Sequence, residues 1–208
     1  SRHTVEPEQV YDYQDEGGNL LYQVVRFAGK AFSQRRPDGK GGWIQNLKSV
    51  SRVPYRLPEA IQGMKAGEAI FVTEGEKDAE SLRNLGLVAT CNSGGAGKWT
   101  DDHSKWFESG AQVIICPDAD KPGDNHARRV AESLLARGCQ VKVLDFGFPK
   151  EPSHGKDVTD WLSAGGSKDR LLGMVRSCSQ FSLDSPKEDK LARLIGPARP
   201  DKSKKVEV

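Results

Sequence analysis

The sequence predicts an α/β protein: a mainly parallel sheet flanked by helices, preceded by a small, basic, mainly β subdomain. Three observations carry this. Compact apolar runs at 69–73, 87–90, 112–116 and 141–144 alternate with stretches patterned for helix, which is the signature of βαβ units. Glycines 86 and 138 follow the helical stretches, where a chain stop is favoured. Before residue 60 the apolar runs are shorter and separated by Gly- and Pro-rich turns.

Taken in order, residues 1–19 are polar and read as a flexible linker. Leu20–Arg26 and Ala31–Arg35 are β-like, with a turn at Gly29-Lys30. Pro37–Gly42 is a loop and Trp43–Gln45 a further short strand. Leu57–Met64 reads as a short helix, closing a basic subdomain over 20–66. Ala69–Thr73 opens the second unit, over 67–180. Glu76–Leu85 follows as a helix with Ala79, Leu82 and Leu85 on one face. Leu87–Thr90 is a strand, 92–97 a Gly-rich loop, Asp101–Phe107 a helix and Gln112–Cys116 a buried strand. Asp124–Arg137 is the clearest helix, with Ala127, Val130, Ala131, Leu134 and Leu135 at i, i+3, i+4, i+7, i+8. Val141–Leu144 is the fourth strand, and short helices are expected near Val158–Leu162 and Asp169–Val175. The Lys/Asp/Pro-rich stretch 181–208 reads as a flexible tail or linker.

Composition narrows the function classes. No apolar run approaches the roughly 20 residues a membrane span needs, and no apolar signal core opens the chain, so a cytoplasmic protein without membrane partners is expected. Cys91, Cys116, Cys139 and Cys178 form no C-x-x-C pair, so no zinc is expected in this chain and the thiols read as buried and reduced. The net charge is only +2, but its distribution is uneven. Arg26, Lys30, Arg35, Arg36, Lys40, Lys48, Arg52 and Arg56 stand against the single acid Asp38, with Trp43 and Tyr55 among them. A solvated face is the ordinary explanation of a charge run. Cations interleaved with aromatics also suit a nucleic-acid backbone with bases stacking between.

Three acidic clusters fall where open α/β sheets hold their ligands, past the C-terminal ends of strands. In Thr73-Glu74-Gly75-Glu76-Lys77-Asp78, Glu74 closes a strand, Gly75 turns the chain and Asp78 opens a helix, where the helix dipole alone would favour an acid. In Pro117-Asp118-Ala119-Asp120, two carboxylates two apart on an extended strand end point to one side and can share a hard divalent cation. Asp157 and Asp160 follow the fourth strand; either they cap a short helix or they approach the same cation. Gly94-Gly-Ala-Gly97-Lys98 departs from a Walker A loop, with Asn92 and Trp99 where Gly and Ser/Thr belong. It can still offer backbone N–H groups and a lysine to phosphate, though a plain strand-to-helix turn explains it equally. The histidines show no ligand spacing, and His126 reads as structural or surface.

Glu-Gly-x-x-Asp followed by a strand ending in Asp-x-Asp resembles the Toprim domain of primases, topoisomerases and several nucleases. More narrowly, 72–82, 89–99, 117–126 and 156–162 resemble primases of phages and mobile elements, of DnaG-like type, as does the basic stretch 42–57 before them. The resemblance implies a DNA primase core that joins nucleotides on single-stranded DNA. It implies Glu74, Asp118 and Asp120 as catalytic and metal-holding groups, with Asp78 and Asp157 in support and Asp160 less closely matched, around one or two Mg2+ or Mn2+ ions. Lys77, Lys98, Arg26 and Lys30 are then expected at nucleotide phosphates. Arg35, Arg36, Lys40, Trp43, Lys48, Arg52 and Arg56 are expected at the nucleic acid. The partners implied are single-stranded template, nucleoside triphosphates, a zinc-binding domain upstream, and a replicative helicase domain or protein. A monomer is expected, since no apolar stripe is left over. A Toprim nuclease using water, or a binding module without catalysis, would use the same fold. Topoisomerase chemistry needs a tyrosine nucleophile, and all four tyrosines precede the acidic motifs.

Overall fold

The computed structural model of the protein describes residues 6–183. Two four-stranded sheets share one apolar core. The first is an antiparallel meander in the order β1 (Gln9–Gln14), β2 (Leu20–Phe27), β3 (Ala31–Pro37), β4 (Trp43–Ile44). Gly29 takes φ +74° in the single 3-10 turn (Ala28–Lys30) joining β2 to β3, a conformation that a side chain would resist. The second sheet is parallel, in the order β6 (Val88–Thr90), β5 (Ile70–Val72), β7 (Gln112–Ile115), β8 (Gln140–Val143).

β1 corrects the linker expected at 1–19. Its residues pair with β2 from Gln9↔Arg26 to Tyr13↔Tyr22. The period-two alternation buries Tyr11 and Tyr13 and exposes Asp12. The acids around it hid the strand. Tyr13 stacks on Tyr22 at 4.5 Å between ring centroids and packs on Tyr55, and Tyr55 donates its backbone N–H to the carbonyl of Cys91 at 2.8 Å. The small sheet therefore shares a core with Phe71, Ala79, Leu82 and Ile114 of the second unit.

Helices cover both faces of the parallel sheet. On one lie α2 (Glu76–Arg83), α5 (Val158–Ser163) and α6 (Lys168–Ser177), whose Ala79, Leu82, Val158, Trp161 and Leu171 share the core of Phe71 and Ile114. On the other, α4 (Lys121–Ala136) packs Ala127, Val130, Ala131 and Leu134 against Ile70, Val72, Val113 and Ile115. The short α3 (Asp101–Ser104) lies by α4. α1 (Leu57–Lys65) was expected in the basic unit, yet it packs on the parallel sheet: a Cβ on Gly63 would stand 2.9 Å from Val88. The tail expected at 181–208 is corrected at its start. Phe181 donates its N–H to the carbonyl of Val141 at 2.7 Å and packs on the core; residues from 184 on lie outside the described ones. No helix among the described residues is long and apolar enough to cross a membrane.

The order β6-β5-β7-β8 has a consequence for ligands. The chain leaves β5 for β6 on one side and returns to β7 on the other. The crevice beyond the C-terminal ends of β5 and β7 is thus the switch point where open α/β sheets bind ligands.

A carboxylate crevice between two sheets

Glu74 follows β5 and Asp118 follows β7, so the topology sets them on the two lips of that crevice. The Glu74 carboxylate accepts the backbone N–H of Asp118 at 3.1 Å. Burial, then the charges of Asp120 and Asp78, push the Glu74 pKa up to about 7, against the Asp118 N–H that favours its ionised form. Burial and the charges of Glu74, Asp78, Asp157 and Asp120 push Asp118 up to about 8. Asp78, in the first turn of α2, is raised to about 6 by burial and the Asp157 charge, although Thr159 donates to it at 2.5 Å.

Asp118, Asp78 and Asp157 line one cavity of about 280 Å3 together with Lys77, Arg26 and Phe32. Lys77 donates to Asp157 at 2.7 Å. Burial works against its charge, but that bond and the charges of Asp78, Asp157 and Asp160 hold its pKa above the ordinary lysine value. Arg26 comes from the small sheet and pairs with Glu8 at 3.4 Å. Two units thus contribute opposite charges to one cavity.

Asp120 differs from expectation. Expected beside a cation with Asp118, it is 4% exposed and caps α4. One oxygen accepts the N–H of Gly123 at 2.7 Å and the other that of Gly155 at 2.9 Å. The cause is local: Asp followed by Lys-Pro-Gly is a helix start, with Pro122 tolerated in the first turn. The helix therefore begins at Lys121, one turn before Asp124. Asp157 takes the capping role that the sequence offered and also pairs with a lysine. It caps α5 through a reciprocal pair with Asp160, at 2.8 and 3.1 Å, and its other oxygen meets Lys77. Asp160 itself faces solvent.

Among the described residues no three His, Cys, Asp or Glu side chains stand close enough to hold an ion as placed. The donor chemistry nevertheless fits a hard divalent cation. Glu74, Asp78 and Asp118 are oxygen donors whose pKa values are raised by burial and by one another's charges, and oxygen donors are what such a cation takes.

The basic residues divide. Arg52 lies over the Tyr22 ring and with Lys98, Ser93 and Thr100 lines a cavity of about 340 Å3. Arg35 stacks on Trp43 at 4.2 Å. Lys40 and Lys48 are exposed and Arg36 is half-buried. Arg56 is turned elsewhere, held by Glu80 at 3.2 Å and Glu59 at 3.3 Å. The Lys30 side chain lies outside the described ones. Between these groups runs a larger cavity of about 610 Å3, lined from the small sheet by Phe32, Gln34 and Gln45 and from the second unit by Glu76 and Gly94. Phe32 was given no role from the sequence and is 56% exposed. His126, expected as structural or surface, is structural: it is buried, and its Nδ1 accepts the N–H of Gly97, tying the Gly-rich loop to α4. All four tyrosines are buried, and Tyr11 alone of them lines the carboxylate cavity.

Residues 71–162 match the Toprim-like family. The chain is 24% identical over 165 residues to the DNA primase of Pasteurella multocida, covering 78% of this chain but only 28% of that protein. In fold it is similar to the zinc-binding and RNA polymerase domains of the Aquifex aeolicus primase. That match has a TM-score of 0.65 and 18% identity, and covers 87% of this chain and 43% of the other. It is also similar to the primase fragment of the bacteriophage T7 primase-helicase protein, with a TM-score of 0.53 and 23% identity, covering 80% and 62%.

Proposed function

The chain is a Toprim-domain relative of DnaG-like DNA primases, and from that premise we propose that it is a primase catalytic core joining nucleotides on single-stranded DNA. The observation that carries this reading is the cavity in which Asp78, Asp118 and Asp157 of the parallel-sheet unit face Arg26 of the antiparallel sheet. A catalyst of phosphoryl transfer needs charge of both signs at one point, because its work is positioning and charge stabilisation.

Glu74, Asp78, Asp118 and Asp157 would hold one or two Mg2+ or Mn2+ ions, which supply positive charge to the triphosphate and to the attacking and leaving oxygens. Glu74, which accepts the Asp118 N–H, would either join that ligand set or take the proton of the attacking 3′-hydroxyl. Asp120 positions rather than ligates: it locks the turn that carries Asp118 to the start of α4. Lys77 and Arg26 meet the phosphates. Arg52 and Lys98, on the far side of the larger cavity, hold the template backbone, with Arg35, Arg36, Lys40, Trp43 and Lys48 extending that surface. The chain spans about a quarter of the Pasteurella multocida primase, and a zinc-binding domain and a helicase are the partners we propose for the whole enzyme.

The test is synthesis. Wild type, Asp118→Asn and Glu74→Gln are incubated with single-stranded DNA, labelled ribo- and deoxynucleoside triphosphates, and Mg2+ or Mn2+. Short labelled products from the wild type alone are expected. Metal-dependent cutting of the template would replace this reading with a nuclease. DNA binding that is indifferent to metal and to both substitutions, without product, would leave a binding module.

A further inference from the structure

We infer that Phe32 is the stacking platform of a nucleobase site occupying the cavity of about 610 Å3 beside the carboxylates. This rests on the nucleotide-handling reading above and names the part of the ligand that the carboxylate cavity does not explain.

Phe32 is the second residue of β3, opposite Arg26 on β2, and is 56% exposed. Strand aromatics are ordinarily half-buried against a neighbour. Trp43, the other exposed ring of the small sheet, is covered by the Arg35 guanidinium. Phe32 lines both the carboxylate cavity and the larger one, so its ring stands at the junction between them.

The two cavities differ in chemistry. The smaller is charged, with three aspartates, Arg26 and Lys77. The larger carries neutral hydrogen-bonding groups from Ser33, Gln34, Gln45 and Asn46. Its one acid, Glu76, is 7% exposed and already accepts the Tyr13 hydroxyl at 2.7 Å. Gln34 uses its oxygen on Arg52, and Asn46 uses its oxygen on the Lys48 N–H. Both amide nitrogens are left for a ligand, and the Gln45 amide has no partner among the described residues. A flat, neutral group with donors and acceptors on its edge, joined to a strongly anionic tail, matches this pair of cavities. A nucleoside triphosphate has that form, and so does a base of the template strand. The volume lies in the range of small-molecule sites, and base–aromatic stacking tolerates any base.

Binding separates the terms. Calorimetry in Mg2+ would compare wild type, Phe32→Ala, Phe32→Leu and Phe32→Trp against nucleoside triphosphates, inorganic tripolyphosphate and a short single-stranded oligodeoxynucleotide. Phe32→Ala should weaken binding of a base-bearing ligand roughly 5- to 150-fold, the worth of one stacked base, with tripolyphosphate unchanged. Trp should restore affinity and Leu should not, which a merely structural role would not produce. Loss confined to nucleoside triphosphates assigns the substrate's base; loss confined to the oligonucleotide assigns the template's. Equal affinity of wild type and Phe32→Ala for both, or an equal loss for tripolyphosphate, overturns the inference. Phe32-dependent binding without primer synthesis would leave it standing and remove the primase reading. Synthesis with Phe32-independent binding would do the reverse.

Discussion

Replacing Asp120 by alanine should unfold the protein more readily, whereas replacing its neighbour Asp118 by asparagine should not. Asp120→Ala removes the N-cap of the 16-residue α4 and leaves the Gly155 N–H without its acceptor. Loss of an N-cap costs about 1 kcal/mol, and an unsatisfied part-buried donor about 1–3 kcal/mol, so together about 2–4 kcal/mol is expected. With a urea dependence near 2 kcal/mol per molar, the midpoint should fall by about 1–2 M. Asp118 makes no comparable bond through its side chain, and burial and its acidic neighbours already oppose its ionised form. In chelator at pH 8, Asp118→Asn should therefore keep or raise the midpoint, and in Mg2+ it should abolish synthesis. Urea denaturation of both variants decides the matter. A shift under about 0.5 kcal/mol for Asp120→Ala, or an equal fall for Asp118→Asn, would refute the division of roles.

Three further outcomes are expected. Glu74 and Asp118 have folded-state pKa values of about 7 and 8, above the roughly 4 of an unfolded chain, so the folded state holds more protons. Their contribution is full at low pH and is lost as pH rises through those values. His103 and His126, lowered to about 4 by burial, act oppositely but only below about 6.5. The chelated protein should thus lose stability between about pH 6.5 and 8.5, and Asp118→Asn should flatten the decline; a level wild-type profile would contradict this. Gly123→Ala places a Cβ 2.5 Å from both the Glu74 carboxylate and the Asp118 carbonyl. It should cost about 1–3 kcal/mol in a thermal melt and remove synthesis, whereas retained activity would show that Glu74 moves freely. Tyr13→Phe leaves the buried Glu76 carboxylate without its donor and should cost about 1–3 kcal/mol in urea at pH 7.5.

The parallel-sheet unit was legible because its strands are apolar throughout and its helices carry clean faces: Ile70–Val72 and Val113–Ile115 are buried where the runs predicted it. β1 was not legible from composition, since Glu6, Glu8, Asp12, Asp15 and Glu16 masked the alternating Tyr11 and Tyr13. Glu74 and Asp118 were legible as candidates because each closely follows a buried strand, and Asp78 and Asp157 because each opens a helix after one. Their division of labour was not, because a D-x-D pair does not reveal that one member caps the next helix. That signal was present in Asp120-Lys-Pro-Gly. Phe32 was not singled out because nothing in the β-like run 31–35 tells which of its side chains stays exposed.

The stacked rings of Tyr13 and Tyr22 have a mechanical consequence. They weld the two sheets through one core, and the Tyr22 hydroxyl lies 3.2 Å from Ser93 beneath the Gly-rich loop. The floor of the cleft is thus built from the same packing that joins the sheets, so a substitution that thins it should alter the fold's stability and the ligands the cleft accepts together.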